Sequence, residues 1–341
     1  MSYFEPKTCN TCNRKFVTEN HFFQNTSRWR ICSQHNLWFN CSCDSTLLIP
    51  KGKFNWYNPG KHLSKECKSV FNEIASDLKI PYIKNNIIMI QQMISNNEAI
   101  EKIYREIKKD ALISSQIIVF MEKIQIANNT GTRKGPDLLY AVNYLGPDRI
   151  SELLIPAFLA TIKIECQKFN IDSFWSRSYQ TAMLAVLLNS FSKQNLNKDL
   201  VFIAASLCNI GILVNAIYYP EATDLLWKAM NSPKTQNTWE NLETESKMHS
   251  SSIMGEIAGS LWGLSEPVLE VISCHRKIDI SKNVKSKNLI YLISLSEMCA
   301  SWIMGEPHLI NNKLLEDRLR YFNLTEDEFD SFANLNLRLV K

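Results

Sequence analysis

The chain has 341 residues, 45% of them apolar and 21% charged, enough to bury a core and too apolar for a disordered tail. Its 10 glycines and 11 prolines fall below the usual ~7% and ~5%, which excludes collagen-like and linker-like chains and argues against a β-rich fold with frequent tight turns. The net charge of +4 is uneven: residues 1–62 hold eight Lys/Arg against three Asp/Glu, and the remainder holds 30 against 31.

The first residues, Met1 to Lys7, carry no apolar run after a basic start, so no secretory signal is read there and a cytoplasmic location is expected. Thiols stay reduced in such a compartment, and clustered cysteines then indicate a metal before a disulfide. Six of the ten cysteines lie in the first 67 residues. Cys9 and Cys12 form one closely spaced pair, Cys32 and His35 a second, and Cys41 and Cys43 a third. Two such pairs can set four soft ligands around one zinc ion at about 2.3 Å. Cys9, Cys12 and Cys32 are the favoured ligands, with His35, Cys41 or Cys43 as the fourth; His21, His62 and Cys67 stand in reserve for a second ion. A redox role for Cys9 and Cys12 competes, but no thioredoxin-like βαβ pattern surrounds them. Four protein ligands leave no open position, so the zinc is expected to be structural.

Short strand-like runs occupy Trp29 to Cys32, Leu37 to Cys41, Thr46 to Ile49 and Phe54 to Tyr57. A module of this size buries little apolar surface and needs a staple, which the metal would supply. Its cations and interleaved aromatics, Trp29, Trp38 and Trp56 among them, would also suit single-stranded nucleic acid; the competing use of those rings is the small module's own core. A turn at Asn58-Pro59-Gly60 closes the segment, giving a module over residues 1–62 and a second domain over 63–341.

Helical periodicity then takes over. Ile100, Ile103, Tyr104 and Ile107 follow the i, i+3, i+4, i+7 rule. Leu153, Leu154, Ala157 and Phe158 continue it, with Pro156 expected to kink or end that helix. Leu200 to Tyr219 is apolar except for Ser206, Asn209 and Asn215, long enough to cross a membrane. Its polar residues, Gly211 and the lack of a flanking basic cluster favour a buried helix instead. Thr325 and Glu328 form a capping box, with Phe329 and Phe332 behind it on the apolar face. About a dozen helices are expected beyond residue 65, with no strand–helix alternation that would build a parallel sheet.

Several segments together resemble the HDOD domain of bacterial signalling proteins over residues 70 to 340. They are the run from Ile107 through Asp110 and Leu112 to Ile118, Asp137 to Ile150 with its Leu145-Gly146, and Phe174-Trp175-Ser176-Arg177. Ala204 to Gly211, His249 with Gly255, Trp262-Gly263-Leu264 and Cys274-His275 follow in order. The resemblance implies an all-α bundle related to HD-type phosphohydrolases. Catalytic relatives hold divalent metal with a His, a His-Asp pair and a distant Asp, and the metal activates water. Here the first position is matched by Arg177, the pair by Cys208 and Asn209, and the distant acid loosely by Glu297. Arg177 cannot ligate a cation and Asn209 is a weak ligand. The resemblance therefore implies no catalytic centre, with His249 and His275 as hydrogen-bonded histidines at helix contacts or as ligand sensors.

The expected architecture is an HD-like multi-helix bundle with a small β-rich, zinc-binding N-terminal module. The expected function is a non-enzymatic signalling scaffold that binds a protein partner or a small ligand. Two alternatives stand beside it: an HD-type metal-dependent phosphohydrolase, and a nucleic-acid-binding regulator led by the basic module.

Overall fold

A computed structural model describes residues 7–16, 26–32, 36–41, 43, 46–50, 65–74, 79–81, 85–127, 135–230, 232, 239–262, 264–280, 284–306 and 309–340. The N-terminal segment holds two small antiparallel sheets. β1 (Lys7–Thr8) pairs with β2 (Lys15–Phe16), and β3 (Thr26–Cys32), β4 (Asn36–Cys41) and β5 (Thr46–Pro50) form a three-stranded meander. Three of the expected strands fall within β3, β4 and β5; Phe54 to Tyr57 lies outside the described residues.

The rest is helical, with fifteen helices among the described residues. These are α1 (Lys65–Ile74), α2 (Asn85–Ser95), α3 (Ile100–Ile107), α4 (Ala111–Ala127), α5 (Leu138–Leu159), α6 (Ile171–Phe191), α7 (Lys198–Leu207) and α8 (Ile210–Tyr218). They continue as α9 (Pro220–Met230), α10 (Trp239–Glu245), α11 (Ser251–Leu261), α12 (Glu266–Cys274), α13 (Lys287–Ile303), α14 (Asn312–Phe322) and α15 (Glu326–Val340). Asparagine and aspartate punctuate the starts. Asp137, Asn170, Asn197 and Asn311 each accept a hydrogen bond from the backbone N–H three residues on, the N-cap geometry that satisfies an otherwise orphaned donor. The capping box forms as read: Glu328 N–H donates to Thr325 Oγ1 at 3.2 Å, and Thr325 N–H donates to Glu328 Oε2 at 2.8 Å.

The expected kink at Pro156 is corrected. α5 is broken at Gly146, where φ is 72°, and Pro147 follows. Glycine reaches that left-handed backbone without a Cβ clash, and Pro147 starts the second segment as a first-turn proline does. Pro156 is accommodated inside the final turns. The long apolar stretch does not run as one rod either. It divides into α7 and α8 at Cys208-Asn209, and the span Lys198–Tyr218 is largely buried inside the protein.

α13 is the axis of the core. Every residue from Leu289 to Ser301 is buried, the mark of a helix packed on all sides. It packs on α6, α7, α12, α14 and α15, and α8 packs on α11. That last crossing is close: a Cβ on Gly211 would lie 1.7 Å from the Ser251 carbonyl oxygen. Hydrophobic contacts run in one cluster from Cys67 to Ala333.

Candidate functional site

Two groups of chemically competent side chains stand out. The first is in the N-terminal segment. Cys9 and Cys12 sit on the turn between β1 and β2, where Cys9 N–H donates to Arg14 O and Asn13 N–H donates back to Cys9 O, both at 2.9 Å. Asn13 takes the left-handed φ of 56° that lets the chain turn so tightly. Cys41 ends β4, and Cys43 follows two residues on. The four sulfurs lie within 4.8 Å of one another. Cys9 Sγ is 3.6 Å from Cys43 Sγ, and Cys12 Sγ is 3.7 Å from Cys41 Sγ. All four are free thiols, since a disulfide would need about 2.05 Å. Four sulfurs held at about 2.3 Å around one tetrahedral ion are separated by about 3.8 Å, so the donor set and spacing fit zinc. The Arg14 backbone acts to lower the Cys12 pKa, but desolvation and the neighbouring thiols push it up to about 11.

The sequence reading favoured Cys32 over Cys41 and Cys43. In the β3–β4 ladder Cys32 pairs with Asn36 and Thr26 pairs with Cys41. The Cys32 backbone is thus five residues along the hairpin from Cys41, about 17 Å at 3.3 Å per residue. His35, His21 and His62 lie outside the described residues. Cys67 is buried in α1, with its thiol facing the Ile253 carbonyl oxygen at 4.0 Å.

The second group lies where α6, the α7–α8 junction, the end of α12 and the middle of α13 converge. Arg177, Asn209 and Glu297 line one cavity there, together with Arg276 and Glu240. Asn209 holds the N-cap position of α8 but makes no capping bond. Its side chain is diverted inward instead: Nδ2 donates to Glu297 Oε1 at 2.8 Å, and Oδ1 accepts from Arg276 Nη2 at 2.5 Å. Arg276 Nη2 also donates to Glu297 Oε1 at 2.7 Å, and its Nε lies 3.8 Å from Glu240 Oε1. His275 is buried beside them. Its Nδ1 bonds the Val271 carbonyl at 2.8 Å, while Nε2 is 3.3 Å from Asn209 Oδ1 and 3.4 Å from Glu297 Oε2.

Burial alone would raise the Glu297 pKa. The Arg276 guanidinium, His275 and the bonds from Arg276 and Asn209 overcome it and hold the carboxyl well below the carboxylate range. Burial acts to deprotonate Arg276, but Glu297 and Glu240 keep it charged, with its pKa above the ordinary arginine value. Burial lowers the His275 pKa against the pull of Glu297, and its Nδ1–H is donated to the Val271 carbonyl. The Cys208 thiol is pushed up by burial and by Glu297; it is 3% exposed and packs as a small apolar group. Arg177 is engaged on the cavity's other side, where it pairs with Glu306 and donates to Ser301 Oγ at 2.7 Å.

These residues do not suit a hard divalent cation. Of the four positions matched to the metal ligands, only Glu297 offers a strong hard donor, and a guanidinium already sits on it. The cavity beside the network is about 50 Å³, room for a few water molecules and far below the ~300 Å³ of a typical ligand pocket. Phe174, Ile212 and Trp227 supply part of its apolar wall.

The sequence reading named Arg177, Asn209, Glu297 and His275 and missed Arg276. The signal was present: an arginine directly after a histidine expected at a helix contact is carried into the same buried contact. His249 stands apart, with Nε2 3.5 Å from Glu73 Oε1 and its ring edge-on to Tyr219.

A profile of the HDOD domain matches residues 80–278, more than half of the chain. No curated protein sequence matches. An HDOD domain protein from Geobacter sulfurreducens shares the fold with a TM-score of 0.58 at 13% identity, over 80% of this chain and 95% of that one. A protein from Shewanella amazonensis SB2B named as a candidate phosphohydrolase gives 0.55 at 15%, over 81% and 96%. A candidate signal transduction protein from Marinobacter aquaeolei VT8 gives 0.54 at 13%, over 90% and 75%.

Proposed function

The chain belongs to the HDOD domain family, and on that premise we propose that it is a regulatory scaffold whose helical domain recognises a signalling partner and performs no hydrolysis. One observation carries this reading: the Arg276 guanidinium is bonded to Glu297 and Asn209, two of the positions that the family resemblance matches, Glu297 loosely, to the metal ligands of catalytic relatives. Metal-assisted hydrolysis requires an ion with an open coordination position for water. A guanidinium can offset phosphate charge but has no coordinated water to ionise, so it cannot generate the nucleophile. The signal transduction protein from Marinobacter, similar in fold, supports the regulatory side of this reading.

Residues 1–62 act as a separate module stapled by zinc through Cys9, Cys12, Cys41 and Cys43, with the ion in a structural role. Residues 63–341 form the recognition domain.

The test is turnover by the full chain, supplied with Mn²⁺, Mg²⁺ or Fe²⁺ and offered nucleotides, cyclic dinucleotides and simple phosphate esters. No turnover above the protein-free rate is expected. Hydrolysis that disappears in Glu297→Gln would overturn the reading.

A further inference from the structure

We propose that Glu297, Asn209 and Glu240 form a cation-binding cradle, and that the chain fills it from within by the guanidinium of Arg276. The inference rests on the non-catalytic reading and deepens it by assigning what occupies the position. Three features favour positive charge at this point. Glu297 Oε1 accepts from Arg276 Nη2 at 2.7 Å and from Asn209 Nδ2 at 2.8 Å, so its orientation is fixed from two sides. Asn209 turns its oxygen, not its nitrogen, toward the guanidinium. It gives up its capping bond to do so, a bond worth about 1 kcal/mol at such a position.

The backbone adds to the field. Asn209 stands two residues beyond the last residue of α7, and Arg276 two beyond that of α12. The carbonyl end of α12 carries partial negative charge that favours a cation nearby, while at Asn209 the carbonyl end of α7 is offset by the N-terminus of α8. Glu240 at 3.8 Å completes the cradle, and Glu243, which accepts from Ser251 N–H, adds its field from the same helix. Among the described residues the groups of positive or titratable charge facing the cradle are Arg276 itself, His275, whose Nε2 is 3.4 Å from Glu297 Oε2, and, across the cavity, Arg177, which is paired with Glu306. The planar guanidinium meets the carboxylate and amide oxygens together, where a point charge on a flexible stem would meet them less well.

The experiment is chemical rescue in the full chain. Arg276→Ala removes the internal cation and leaves the cradle. Its melting temperature is measured in 20 mM guanidinium chloride and in 20 mM tetramethylammonium chloride, beside the parent chain and the R276A/E297Q double variant. The expected result is a rise of about 2 °C in guanidinium for R276A alone. An equal response in both salts, or an equal rise in the double variant, overturns the proposal. Where R276A does not fold, the comparison passes to Arg276→Lys and Arg276→Gln. The charged variant should melt higher, and that gap should vanish when Glu297→Gln is added; equal melting of the two overturns the proposal. Failure of rescue leaves the turnover result untouched, and turnover by the parent chain would overturn the functional reading without requiring rescue to fail.

Discussion

At Glu297 a carboxylate is buried in the middle of a helix, a placement that is costly unless the charge is matched. Arg276 and Asn209 match it. Breaking such a pair by removing one partner leaves the other charge buried and alone, at a cost of about 3–5 kcal/mol. Arg276→Ala and Glu297→Gln should each lower the urea midpoint accordingly, and the double variant should lose less than their sum. Losses that simply add would show that the two side chains act independently.

The same residues set the acid limb of stability. The Glu297 pKa is held below its ordinary 4.5, and that of His275 below its ordinary 6.5. In both cases the unfolded chain takes up protons more readily than the folded one. Their contribution is therefore whole above about pH 6.5 and is lost as pH falls, first through His275 and then through Glu297. The melting temperature should decline from pH 7 to pH 3, and Glu297→Gln should flatten the part of that decline below about pH 4.5. An unchanged slope in the variant would remove Glu297 from the account.

Helix packing makes its own demands on two glycines. At Gly211 the difficulty is space: an added Cβ meets a backbone oxygen of the facing helix at 1.7 Å, and backbone cannot rotate away. Gly211→Ala should cost about 3 kcal/mol or more. At Gly146 the space is open, but φ 72° with ψ 172° is a backbone region almost reserved for glycine, so Gly146→Ala should cost about 1–3 kcal/mol of strain. Denaturant midpoints separate the two, and the reverse ranking would refute the packing argument. The capping box at Thr325 and Glu328 was legible because its residues are local to one helix end. The break in α5 was misplaced because the sequence shows two prolines and a glycine as equal candidates, and only the tertiary contacts choose among them. The grouping of Cys41 and Cys43 with Cys9 and Cys12 was hidden in the sequence for a related reason. Spacing alone pairs Cys32 with His35 as readily as Cys41 with Cys43, and the register of β3 on β4 decides which pair approaches Cys9.

On the scale of the whole molecule, an HDOD-type bundle was readable from an ordered set of weak motifs, because helix periodicity and order survive where individual residues change. The content of its central site was only half readable. The departures at Arg177, Cys208 and Asn209 mark what is missing from a metal cage, whereas Arg276 belongs to none of the matched positions and shows itself only when α12 meets α13. The two sites differ in chemistry: a cluster of thiols whose spacing suits zinc and a buried carboxylate already paired with a guanidinium. Metal analysis of the purified full chain, dialysed against Mn²⁺ and then against metal-free buffer, tests both together. The account predicts about one zinc per chain, lost in Cys9→Ser/Cys12→Ser, with no manganese retained; stoichiometric manganese or iron that survives loss of those cysteines would contradict it.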